Sequence, residues 1–119
     1  AYKRAISIRP DSPQMLLNYG RALIASNKAT DLTDAISALE QARNGEPKWA
    51  FVYRQLAIAY GRAGRLADAD ITLADEALIN ADTQRAIKMA KRSLSHSSVR
   101  DEIKNCANDI LYRYGALKE

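Results

Sequence analysis

The sequence has few of the residues on which catalysis and metal binding depend. It contains one histidine and one cysteine in 119 residues. A single histidine excludes an HExxH zinc site within this chain, and a histidine-based triad would have to use His96. The lone Cys106 excludes an internal disulfide. The five glycines are scattered, which excludes a glycine-rich phosphate loop. We therefore expect no catalytic, metal or cofactor site in this chain.

The two scarce residues have ordinary structural explanations. His96 lies where a helix is predicted to end, and a partial positive charge suits a helix C-terminus. Cys106 lies on an apolar stripe with Ile103 and Ile110, so we expect it to be a small buried apolar residue. No apolar run is long enough to span a bilayer, and we expect no membrane insertion.

The spacing of apolar residues predicts six helices and no strand, and hence an all-α fold. The predicted helices cover about 13–26, 31–44, 48–62, 66–80, 83–95 and 99–114. A remnant of a preceding helix is predicted over 1–8. Asp82 is the predicted N-cap of the fifth helix, and Ser98 with Asp101 resembles a capping box before the sixth. Asn44-Gly45 is a C-cap signal for the second helix.

Two segments follow one pattern of small, aromatic and turn-forming residues. The members are Gly20, Ala35, Leu39, Ala42 and Pro47 in the first segment, and Ala57, Tyr60, Gly64, Ala69 and Leu73 in the second. Pro10 and Pro47 occupy the same place in successive copies, 37 residues apart, which indicates a stacked unit of two short helices. Small residues suit a close contact between helices, and Gly64 is predicted to take a positive φ.

These residues resemble the tetratricopeptide repeat. Ala57, Tyr60, Gly64 and Ala69 match its small, aromatic, turn and small positions, while 35–47 looks like its second half with about three extra residues before it. The resemblance implies a solenoid of antiparallel helix pairs. It divides residues 1–95 into a remnant (1–10), two repeats (11–47 and 48–80) and one degenerate repeat helix (81–95). Residues 96–119 are predicted to form a C-terminal capping helix.

The resemblance also implies a binding surface, because the first helix of each unit lines a concave groove in such arrays. The implied partner-binding residues are Leu17, Arg21, Ile24, Phe51, Arg54, Ile58 and Arg62. The alternative interpretation for each of them is packing between adjacent helices. The Lys and Asn clamp of chaperone-tail domains is not supported, because Leu17 and Arg54 stand at its Lys positions. We therefore expect a protein-interaction module that binds a peptide or protein segment.

A narrower resemblance concerns a possible parent protein. The runs 49–57, 64–69 and 73–77, with Asn108-Asp109-Ile110, look like the C-terminal repeat region of BepA-like bacterial zinc metallopeptidases. The resemblance implies an upstream HExxH domain that carries zinc, and a periplasmic location. If this narrower resemblance does not hold, we expect the protein to be located in the cytoplasm. The sequence lacks an initiator Met, so we expect a piece of a longer protein. Its oligomeric state is left open.

Nucleic-acid binding is the weakest of the three alternatives. The net charge is +4, and Arg85, Lys88, Lys91 and Arg92 form a basic stripe. No aromatic residue interleaves this stripe, so stacking platforms for bases are missing. The preceding stretch 66–82 carries five acids and no cation. We expect these oppositely charged helices to pair with each other, or the stripe to meet an acidic protein.

Overall fold

The computed structural model describes residues 12–26, 28–97 and 99–115. They form six α-helices: α1 (Pro13–Ser26), α2 (Ala29–Gly45), α3 (Ala50–Arg62), α4 (Leu66–Ile79), α5 (Thr83–Leu94) and α6 (Asp101–Ile110). A π-helical turn, Leu111–Gly115, continues α6. No strand occurs among these residues, and the all-α prediction is confirmed. The predicted helix remnant at 1–8, the repeat remnant 1–10 and the cap residue Ser98 lie outside the described residues.

The local signals at several helix ends are confirmed. The Asp82 side chain accepts a hydrogen bond from the Arg85 backbone N–H at 3.1 Å, as an N-cap does. Gly64 has a φ of 80°, in the left-handed region that the turn after α3 requires. The end of α2 differs in detail, because Gly45 is its last helical residue and Glu46, at φ −137°, is the C-cap.

Each helix packs on its neighbours in sequence, so the helices form adjacent pairs joined by short turns. In addition α1 contacts α3, and α4 contacts α6, whereas α3 and α5 do not meet. The described part measures 51 × 27 × 20 Å. This elongated, sequential packing is compatible with a helical-repeat architecture. None of the helices described is both long and apolar enough to cross a membrane.

The buried side chains form two apolar clusters. The N-terminal core draws on α1, α2 and α3, together with Ala69 of α4. The C-terminal core draws on α4, α5 and α6. Within the N-terminal core, Gly20 lies against the fully buried Leu39, and a Cβ atom built on Gly20 would be 2.6 Å from Leu39 Cγ. A small residue is therefore required there, as the repeat pattern predicted.

One prediction about α6 needs correction. Its apolar stripe is confirmed, because Ile103, Ala107 and Ile110 are buried in the C-terminal core. Cys106, however, is exposed rather than buried, since it sits beside this stripe and not on its centre. Partial burial of the thiol and the nearby Asp75 carboxylate raise the pKa of Cys106. The thiol is thus accessible but weakly ionised.

Candidate binding face

Two of the seven residues predicted to contact a partner lie in the core. Leu17 and Ile24 are 2% and 6% exposed and belong to the N-terminal core. The side of α1 that carries them packs against the rest of this core, which also contains Leu39 and Leu56. Neither residue is therefore available to a partner on the folded surface, and their packing role replaces the predicted groove role.

The other five predicted residues come together on one exposed surface, which we call the α3 face. It comprises Phe51, Arg54, Ile58 and Arg62 of α3, with Arg21 of α1 beside them. Phe51 and Ile58 are 39% and 40% exposed. They lie two helical turns apart, about 10 Å along α3, because an α-helix rises about 1.5 Å per residue. Elsewhere along α3, Val52, Leu56 and Ala59 are fully buried.

Arg21 and Arg62 link α1 to the two ends of the α3 face. The guanidinium carbon of Arg21 lies 5.3 Å from the centroid of the Phe51 ring, a cation–π arrangement that holds the exposed ring in place. Arg62 Nη1 donates a 2.8 Å hydrogen bond to the backbone carbonyl of Ile24, near the C-terminus of α1. A cation suits that position, because the last carbonyls of a helix have no intrahelical partners.

Arg54 takes part in the packing of adjacent helices, which is the alternative interpretation given above, although the sequence did not predict its partner. Its Nε atom donates a 2.8 Å hydrogen bond to Glu76 Oε2 on α4, and the Glu76 side chain is only 5% exposed. This hydrogen bond raises the pKa of the Arg54 guanidinium. A buried carboxylate is costly unless it is paired, so Arg54 supports the packing of α3 on α4.

Replacing Arg54 by alanine is expected to lower the free energy of unfolding by about 1–2 kcal/mol, because Glu76 would lose its charged partner in a buried place. The matched control is Arg113→Ala, whose partner Asp109 is exposed, so that this pair contributes about 0–0.5 kcal/mol. Urea unfolding followed by circular dichroism at pH 7 measures both changes. Equal losses in the two variants would contradict the role assigned to Arg54.

Two further buried acids of α4, Asp68 and Asp70, are also held by cations. Asp70 Oδ1 accepts from Arg92 Nη2 at 2.8 Å, and its Oδ2 lies 2.7 Å from His96 Nε2. Asp68 accepts from Arg65 at 3.0 Å and from Arg100 at 2.6 Å. The predicted pairing between α4 and the basic stripe of α5 is thus confirmed for Arg92. The other cations of that stripe, Arg85, Lys88 and Lys91, are exposed.

Charge alternates from helix to helix. The helices α1, α3 and α5 contain no Asp or Glu. Between them they carry the cations Arg21, Arg54, Arg62, Arg85, Lys88, Lys91 and Arg92. The acids lie on the helices between, with Asp31, Asp34 and Glu40 on α2 and Asp68, Asp70, Asp75 and Glu76 on α4. The α3 face therefore belongs to a purely basic pair of helices, α1 and α3.

Asp75 on α4 is a carboxyl group with a strongly shifted pKa. Burial raises its pKa to about 6 against a weaker, opposing effect of Arg43 on α2. Its charge in turn contributes to raising the pKa values of Tyr53 and Cys106. These residues are not part of the α3 face. Strongly shifted carboxyl groups occur at functional sites and in structural networks alike, so the shift alone assigns no chemistry to Asp75.

Comparison of this chain with protein-family models, curated proteins and solved structures found no match. The tetratricopeptide resemblance and the narrower metallopeptidase resemblance therefore stay predictions from the sequence. Within residues 12–26, 28–97 and 99–115, no three His, Cys, Asp or Glu side chains are grouped as metal ligands. The expectation that the chain has no cofactor and no catalytic activity also stays a prediction.

Proposed function

We propose that this chain is a binding module that docks a peptide or protein segment on the α3 face and carries out no catalysis itself. The observation that supports this proposal is the exposure of Phe51 and Ile58, at 39% and 40%, on one side of an otherwise buried helix. Apolar surface rimmed by polar groups is typical of interaction sites. Aromatic and arginine residues are the types most often found as interface hot spots.

The architecture is consistent with this function. Stacked helix pairs present an extended surface, and in tetratricopeptide arrays the first helix of each pair lines it. The resemblance assigns α1 and α3 to those positions, and the two helices contact each other, so the segment would lie along both of them. A module with this function could act as a protein of its own. Alternatively, as the narrower resemblance implies, it could recruit partners for a longer periplasmic metallopeptidase.

Replacing Phe51 by alanine is expected to weaken partner binding by at least about 1 kcal/mol, or roughly fivefold, because a desolvated aromatic anchor is lost. The matched control is Tyr112→Ala, which removes an aromatic side chain that is 80% exposed and lies off the α3 face. A partner recovered by affinity capture from the source organism is titrated against both variants by isothermal calorimetry. Thermal melts confirm that each variant is folded.

A third variant, Lys88→Ala on the basic stripe of α5, tests the competing surface. If Lys88→Ala abolishes binding while Phe51→Ala binds as the parent does, the proposed site is wrong and α5 is the site. In that case steep weakening of binding with salt would indicate nucleic acid, since counterions are released when a cationic stripe binds phosphates.

A further inference from the structure

Resting on the proposed function, we infer that the segment bound by the α3 face is acidic, with carboxylates on both sides of an apolar anchor. The inference depends on the charges that the fold leaves uncompensated around Phe51 and Ile58. It specifies the chemistry of the partner and not only its place of binding.

The three arginines of the α3 face differ in how their charge is used. Arg54 is neutralised by Glu76 at 2.8 Å. Arg21 lies over an aromatic ring, and Arg62 donates to a neutral backbone carbonyl at 2.8 Å. Neither Arg21 nor Arg62 takes part in the ion pairs formed between described residues. Among the residues that the structure describes, two positive charges therefore flank the exposed apolar residues without a carboxylate paired to them.

Nothing on the supporting helices offsets this charge. Because α1 and α3 contain no Asp or Glu, a basic segment laid along them would meet only like charge. An acidic segment would form charge-assisted hydrogen bonds with both guanidinium groups, which suit carboxylates because of their planar fork of donors. The charge of the α3 face thus selects one sign of partner.

The helix geometry sets an upper limit on the spacing of the carboxylates. Arg21 sits at the Phe51 end of α3, and the backbone of Arg62 is at the other end, eleven residues or about 16 Å further along at 1.5 Å per residue. The Arg62 guanidinium reaches back to the carbonyl of Ile24, three residues after Arg21 on α1, so the two charges lie closer together than these roughly 16 Å. An extended segment covers about 16 Å in about five residues at about 3.3 Å each. We therefore expect acidic residues fewer than about five positions apart, with an apolar residue between them that packs on Phe51 or Ile58.

The test is a selection from a random peptide library displayed on phage, with the full chain immobilised and peptides of about 12 residues, which span about 40 Å when extended. The selected peptides are expected to be enriched in Asp and Glu around an apolar residue. A synthetic copy of the best binder is then titrated beside its counterpart with Asn and Gln in place of the acids. The counterpart is expected to bind about tenfold more weakly, because charged hydrogen bonds are lost.

The protein variants localise the effect. The double variant Arg21→Gln/Arg62→Gln is expected to lose about tenfold in affinity for the acidic peptide. The control Arg85→Gln/Lys88→Gln removes the same amount of charge from α5 and is expected to bind as the parent does. Circular dichroism confirms that each protein is folded.

The possible outcomes separate the inference from the proposed function. Selected peptides without acidic enrichment, whose binding depends on Phe51 but not on Arg21 and Arg62, would overturn the acidic partner and leave the docking site intact. Acidic peptides whose binding is lost in the α5 control, and is unaffected by Phe51→Ala, would overturn both. Failure to select any peptide would count against both as well.

Discussion

Replacing Gly20 by valine is expected to lower the free energy of unfolding by about 2–3 kcal/mol, the upper part of the range for overpacked cores. A Cβ atom on Gly20 would lie 2.6 Å from Leu39 Cγ and 2.8 Å from Leu39 Cδ2, far inside normal contact distance. Leu39 is fully buried in the N-terminal core, so it can move away only if its neighbours also shift. Valine adds two further methyl groups to the same space.

The same substitution at Gly61 provides the control. No heavy atom lies within 4 Å of a Cβ built on Gly61, which is also inside a helix. Gly61→Val is therefore expected to change stability by less than about 0.5 kcal/mol, with a small gain from helix propensity. Urea unfolding of the two variants and the parent at the same pH measures both changes in the free energy of unfolding. If Gly20→Val unfolds at the same urea concentration as the parent, the close approach of α1 to α2 is wrong.

The second large expected effect is a gain in stability. Replacing Asp75 by asparagine is expected to raise the free energy of unfolding by up to about 3 kcal/mol at pH 8. Burial raises the pKa of Asp75 from 3.8 to about 6, so at pH 8 the folded protein must hold an ionised carboxylate in a place that disfavours it. One pKa unit corresponds to about 1.4 kcal/mol, and asparagine keeps the shape of the side chain without the charge.

The pH dependence identifies the cause. At pH 8, well above the pKa of about 6 in the folded protein, Asp75 is ionised in both the folded and the unfolded protein, and the cost of its burial is fully present. As the pH falls from 6 towards 3.8, the folded protein takes up the proton first, so this group makes folding more favourable. The advantage of Asp75→Asn over the parent should therefore be largest at pH 8, shrink as the pH falls below 6, and disappear below pH 3.8.

Urea unfolding of both proteins at pH 4.5, 6 and 8 measures this difference. The contributions of the other titrating groups are present in both proteins and largely cancel when the two are subtracted. A stability difference that stays the same at all three pH values would contradict the assignment, because it would point to packing rather than charge.

The helices were predictable because their signals are local. Apolar periodicity, the Asp82 cap and Gly64 each act within a few residues. The turn after α4 could not be predicted from such signals. Its Ala81 has a φ of 60°, in the left-handed region that Gly64 also adopts after α3. Both turns close with a similar backbone hydrogen bond, Arg65 N to Tyr60 O at 2.9 Å and Asp82 N to Ala77 O at 2.8 Å. Alanine gives no sequence signal for this turn.

The binding face was predictable only in part. The spacing of Phe51 and Ile58 places them on one side of a helix, and the structure shows that this side is exposed. A repeat pattern does not fix the rotation of α1, however, so Leu17 and Ile24 were assigned to a surface although they are buried. The role of Arg54 depends on Glu76, 22 residues away, and arises only when α3 packs on α4.

The division into two cores has a consequence for how the chain folds and unfolds. Contacts run mainly between helices that follow each other in sequence, so folding closes only short loops, which is typical of chains that fold in microseconds to milliseconds. The C-terminal core is built by α4, α5 and α6, and among these helices only α4 contacts α3. We therefore expect each core to be able to open while the other persists, as in repeat proteins. A partner bound to the α3 face would hold the N-terminal core closed.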